Sequence, residues 1–158
     1  AMNLLYPFLT FIAGIAMARQ VAINNQLAVC ASNNSLLASC VSFVVGALFL
    51  ILVVLITTGP TTAINGLTHQ PLWRFSGGVL GAIAVTSMVY FMPRLGLAPV
   101  LALLITAQLI TATFIDHYGL IGSQIHRVSL VKLAGIIVLL SGAFLVVFGD
   151  KLLAYLHK

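Results

Sequence analysis

Five separate blocks of this chain are each long and apolar enough to cross a bilayer. They fall at residues 4–31, 36–57, 72–92, 98–118 and 131–148. About 20 residues of helix span roughly 30 Å of hydrocarbon. Backbone N–H and C=O groups find no water there, so each must be satisfied within its own segment. The blocks therefore predict five transmembrane helices in an all-α integral membrane protein. Only 6% of the 158 residues are charged, against roughly 25% in soluble domains. The wet skin of a soluble fold is missing, and one five-helix transmembrane domain over 1–158 is the expected organisation.

The charges point the same way. The net charge of +5 would suggest nucleic acid in a soluble protein, but here the cations flank the apolar blocks. Nucleic acid is not an expected partner; the lipid bilayer is. Five crossings put Arg74, Arg127 and Lys132 on one side, and Arg94, Lys151 and Lys158 on the other. Lys and Arg bias sets orientation, and three against three gives none. A small subunit with no preferred orientation is a natural half of an antiparallel pair, so a second copy in the opposite orientation is the expected partner.

The links carry turn chemistry. Residues 32–35, Ser-Asn-Asn-Ser, read as a tight turn with Ser35 as N-cap. The Asn33-Asn34-Ser35 sequon is taken as part of that turn. Gly59–Pro60 and Asn65–Gly66 mark the second link, a short turn at 93–97 carries Arg94, and 120–130 is a polar loop. Cys30 and Cys40 read as small buried residues. Ala1 before Met2 reads as a cloning remnant. The first block lacks a basic flank and a cleavage site, so it does not read as a signal peptide.

Small residues mark places where helices approach closely in lipid. Gly135, Gly142 and Gly149 recur every seven residues, Gly77, Gly78 and Gly81 open the third block, and Ser39, Ser42 and Gly46 smooth the second.

Polar side chains at membrane depth mark function by default. Arg19, Gln20, Asn24 and Gln26 fall within roughly 160° of one face of the first helix. Gln108, Thr111 and Asp116 fall within roughly 140° on the fourth. Arg19, Gln20, Asn24, Gln108 and Thr111 are the candidate substrate-binding residues. Structural hydrogen bonds between helices, with Arg19 reaching for an interface, are the alternative. Asp116 and His117 are the candidate titrating pair for proton coupling. A structural ion pair of Asp116 with Arg127, Arg74 or Lys132 is the alternative there. Trp73 and Tyr90 read as interface or packing aromatics. The chain has no Glu, its two Asp lie at 116 and 150, and the cation nearest mid-depth is Arg19. A small polar, anionic or zwitterionic solute is therefore expected rather than an organic cation.

Several of these stretches resemble one family. Gln20-Val-Ala-Ile-Asn24-Asn-Gln-Leu27 resembles the Gln-x-x-x-Asn-x-x-Leu stretch of the first helix in the YdcZ family, within the drug/metabolite transporter (DMT) superfamily. Ser42-Phe-Val-Val-Gly46 is similar to its second-helix pattern. Residues 71–82, with Trp73, Gly77, Gly78, Gly81 and Ala82, resemble its entry to the third helix. Gln108 followed by Ile115-Asp116-His117-Tyr118-Gly119 resembles its Gln and Ile-Asp-His-Phe-Gly motif, with Tyr118 in the place of Phe. Arg19 departs from the small or apolar residue expected before the Gln.

The resemblance implies a bacterial inner-membrane protein with five helices per subunit. It also implies an antiparallel dimer that forms a ten-helix inverted repeat of the EamA/DMT type. The expected function is secondary transport by alternating access, as a dual-topology homodimer. Two rivals are a small antiparallel anion channel and a non-transporting membrane partner subunit. With no metal cluster, nucleophile–base pair or phosphate loop in the sequence, no enzyme activity and no cofactor are expected.

Overall fold

Each apolar block becomes one long helix because helix is the only open segment that satisfies its own backbone in lipid. The computed structural model describes residues 4–59, 65, 67, 68 and 70–156. Helix α1 is Leu5–Cys30, α2 is Ser35–Thr57, α3 is Ser76–Leu95, α4 is Leu97–Tyr118 and α5 is Leu130–Leu156. A 3-10 turn, Leu72–Phe75, leads into α3, and another, Leu120–Gly122, follows α4. At 1.5 Å per residue the helices run about 30–40 Å, enough to cross hydrocarbon. All five candidate spans are thus membrane-length helices, and no strand occurs among the described residues. Pro60, Gly66, Lys158 and the Ala1-Met2 start lie outside the described residues.

Four boundaries or placements differ from expectation. The cap of α2 is Asn34, not Ser35: Asn34 is extended (φ −92°, ψ 95°) and its side chain accepts from the Leu37 N–H at 3.0 Å. Asn and Ser cap equally well, so backbone geometry decides between neighbours. Next, α3 runs through Pro93 to Leu95 rather than stopping before it. Proline costs one i−4 bond, and in a final turn the helix tolerates that loss. The link to α4 is Gly96 alone, at φ 89° and ψ 157°, a conformation open to glycine.

The third difference is that α5 continues eight residues past 148. At 27 residues it is about 40 Å long and overshoots the hydrocarbon, so Asp150 and Lys151 ride on helical turns in the wet zone. Lastly, Cys30 and Cys40 are exposed, not buried. A small apolar thiol is as comfortable against lipid as against protein.

The chain divides into two compact units, 1–93 and 94–158. In the first, α1 packs on α2, and α3 approaches α2 at Gly81, where an added Cβ would lie 3.8 Å from the Phe43 ring. Its buried residues are Val21, Asn24 and Ala28 of α1, Ala38 and Ser39 of α2, and Val85, Met88 and Val89 of α3. They gather toward the α1–α2 turn. In the second unit α4 packs on α5, with Val100 and Ile136 buried. A Cβ at Gly135, Gly142 or Gly149 would meet nothing within 4 Å among the described residues, so there is room for a side chain at each.

Candidate functional site

The buried stripe of α1 decides where its polar residues point. Val21, Asn24 and Ala28 recur at i, i+3 and i+7 and face into the first unit. Asn24 is only 3% exposed, and its Nδ2 is sealed from solvent without a hydrogen-bond partner. Gln20 lies about 40° around the helix and Arg19 about 140°. Both are exposed. The expected polar face therefore splits: Asn24 turns into the helix packing while Arg19 and Gln20 look outward from the middle of α1.

On α4, Gln108 is exposed near the helix midpoint. Thr111 is exposed as well, and its Oγ1 donates to the Ala107 carbonyl of its own helix at 2.8 Å. That bond satisfies the threonine hydroxyl locally, whereas Gln108 has no such outlet.

Asp116 and His117 sit where α4 ends. Asp116 Oδ2 lies 3.4 Å from Lys132 Nζ, with the side chains 36% and 42% exposed. Lys132 is thus the ion-pair partner among the three weighed from sequence. The same corner ties down the following loop. The Asp116 carbonyl accepts from the His126 N–H at 2.9 Å. Ser123 Oγ donates to the Ile115 carbonyl at 3.3 Å, and the Val128 N–H donates to His117 Nδ1 at 3.5 Å. Gly119 makes the reversal possible at φ 62° and ψ 35°, a left-handed cap that glycine adopts without steric cost. Exposed ion pairs contribute roughly 0–1 kcal/mol, and this one is more than a third exposed. Lys132→Met is therefore expected to change stability by less than about 1 kcal/mol, read from unfolding in detergent; a larger loss would show that the pair anchors the loop.

Three of the grooves among the described residues each lie within one unit. One of about 400 Å³ takes in Thr113, Phe114, His117, Tyr118, Val128 and Leu133 between α4 and α5. One of about 380 Å³ lies farther along the same helix pair and includes Thr106, Leu109 and Gly142. The third, about 640 Å³, lies between the α1–α2 turn and α3. Of the expected site residues, only His117 lines one of these. Sequence reasoning missed two features. Ser39 was read as part of a smooth stripe, yet it is 3% exposed with an unpartnered Oγ. The third groove uses Thr86, Ser87 and Tyr90 of α3, three polar residues in one apolar span that were open to notice.

Among known families, residues 5–145 match the one described as "Putative inner membrane exporter, YdcZ", within the DMT group. No curated protein and no solved structure matches the chain. The match takes in nearly all of α1 to α5, and the five helices have the length and composition to cross a membrane. The chain belongs to the YdcZ family of inner-membrane exporters and is a multi-pass protein of that membrane.

Proposed function

We propose that the chain is a secondary active transporter that exports a small polar, anionic or zwitterionic solute as an antiparallel pair of identical copies. The observation that carries this reading is the exposure of Arg19, Gln20 and Gln108 near the middle of membrane-length helices. An arginine at mid-bilayer costs roughly 2.5–3.5 kcal/mol on insertion scales, and a bare amide is also unfavourable there. These side chains need a polar surface that lipid does not supply. A second copy around a shared aqueous path supplies it, and inverted-repeat transporters place their sites at such a midplane interface.

In this reading Gln20 and Gln108 hydrogen-bond the solute, with Thr111 beside Gln108, and Arg19 holds its negative end; Asn24, expected from the sequence to join them, is turned into the helix packing and is left out of the site. Asp116 and His117 are the titratable neighbours available for proton coupling.

The balanced cations give the test. With Cys30 and Cys40 replaced by Ser and Tyr155→Cys added, a membrane-impermeant thiol reagent applied to intact cells is expected to label about half the molecules. Tyr155 is 82% exposed, so access to the reagent is not limited by packing. Labelling of all or none would mean a single orientation and would remove the antiparallel homodimer.

A further inference from the structure

We propose that Asn24 and Ser39 are a positioning pair: one enclosed water joins their side chains across the α1–α2 hairpin and fixes the rotation of α1. The pair lies apart from the residues that meet solute in the reading above. It deepens that reading, and rests on it, because the rotation it fixes is the one that turns Gln20 and Arg19 outward.

Both groups are sealed inside the first unit. Each residue is 3% exposed, and Asn24 Nδ2 and Ser39 Oγ have no hydrogen-bond partner among the described residues. Buried polar atoms are nearly always paired in folded proteins. No solute, lipid or second copy reaches these two atoms without opening the packing, so what completes them sits within it. Ser39 makes no use of the outlet that other helix hydroxyls take. Those of Thr10, Thr57, Thr111, Thr113 and Ser141 each donate to the carbonyl four residues back.

The two residues come from packed helices at one level. Helix α1 packs on α2, and Ala38 and Ser39 are the buried residues of α2. Asn24 lies seven residues before Ala31 and Ser39 five after Asn34. At 1.5 Å per residue they stand about 10 Å and 8 Å from the turn. Among the described residues no other buried side chain is polar. Their chemistry is complementary: the amide NH₂ donates, and the hydroxyl both donates and accepts. A water between them accepts from Asn24 Nδ2 and donates to Ser39 Oγ.

The consequence falls on the outward face of α1. Val21 and Ala28 bury area, but apolar contact has no direction, and it tolerates a roll of the helix. A hydrogen-bonded amide does not, because its bonds weaken steeply off line. With Asn24 held on α2, Gln20 stays about 40° around the helix, at the rim of the packed stripe, and Arg19 beyond it.

The test begins with a cycle of Asn24→Leu, Ser39→Ala and the double variant, unfolded in one detergent. Each single change is expected to lower stability, because it strands the other group. The double is expected to lose at least about threefold less in the unfolding constant than the product of the singles. A cross-relaxation signal from water is expected at the Asn24 side-chain amide, and is lost in Ser39→Ala.

Rotation is read separately. Asn25 and Leu27 are half-buried and flank the stripe of Val21, Asn24 and Ala28 on opposite sides. With Cys30 and Cys40 replaced by Ser, a nitroxide at each in turn reports oxygen accessibility. In Ser39→Ala a rise at one position and a fall at the other are expected, whereas simple loosening raises both. Exchanging the groups, Asn24→Ser with Ser39→Asn, is expected to restore the parent values. A gain of stability in Asn24→Leu, additive losses, no water signal, or nitroxide changes of one sign or none would overturn the proposal. No transport or sidedness is read, so the pair and the antiparallel reading fail separately: cells labelled on one side only would leave the coupling standing.

Discussion

Gln108→Leu is expected to lower transport at least about tenfold while leaving the protein folded and inserted. The amide lies exposed near the middle of α4 with no hydrogen bond among the described residues, so its loss breaks no bond described in the fold. Leucine is nearly the same length, is a better helix former, and is at home in hydrocarbon. The whole cost therefore falls on whatever the amide touches when solute is bound. One hydrogen bond to a charged partner is worth roughly 1.5–3 kcal/mol, and each 1.4 kcal/mol is a factor of ten. Solute-evoked currents from proteoliposomes, screened over small anionic and zwitterionic solutes, give the comparison. For any solute that the parent chain moves, an unchanged rate in the variant would remove Gln108 from the site. Thr111→Val serves as a control: its hydroxyl is already held by its own helix, so a milder loss is expected.

Gly119→Val is expected to destabilise the chain by about 3 kcal/mol. The residue sits at φ 62°, where an ordinary side chain costs about 1–2 kcal/mol and a β-branched one more. A Cβ there would also stand 2.7 Å from Ile125 Cγ1 and 3.4 Å from the Ser123 carbonyl oxygen. Ile125 is 67% exposed, so it can swing aside, but the Ser123 backbone cannot move without straining the loop bonds at Ile115 and Asp116. Gly119→Asn tolerates the left-handed region, and about 1 kcal/mol is expected for it. Unfolding midpoints in one detergent separate the two variants. Equal losses would mean that crowding, not backbone conformation, sets the requirement at this position.

What was readable in the sequence follows from which forces act locally. The five spans were legible because length and apolarity alone decide whether a segment can sit in hydrocarbon. Their ends were less so. Pro93 looks like a stop, yet a final turn can absorb the missing N–H, and Asp150 and Lys151 look like an exit, yet helix continues beyond the lipid. Asn34 and Ser35 are equal candidates for a cap, and only φ and ψ separate them. The polar positions of the site were visible as residue types, since any polar group at that depth is conspicuous. Their directions were not. Asn24 and Arg19 share an arc on a helical wheel, but the wheel does not say which edge of that arc meets α2 and α3. Ser39 was hidden for a related reason: a serine in a small-residue stripe looks like packing until the absence of a partner for its hydroxyl is seen.

The first half of α1 is exposed on every side, from Leu5 to Met17, and its first buried residue is Val21. That half needs no protein neighbour within this chain, only lipid. It can partition into the bilayer from the insertion machinery before any later helix exists, as the apolar part of a lone anchor would. The second half, with Arg19, Gln20 and Asn24, gains nothing from lipid and must wait for α2. The two halves of α1 thus ask for different surroundings, and the hairpin closed by Asn34, rather than α1 by itself, gives the second half its protein neighbour.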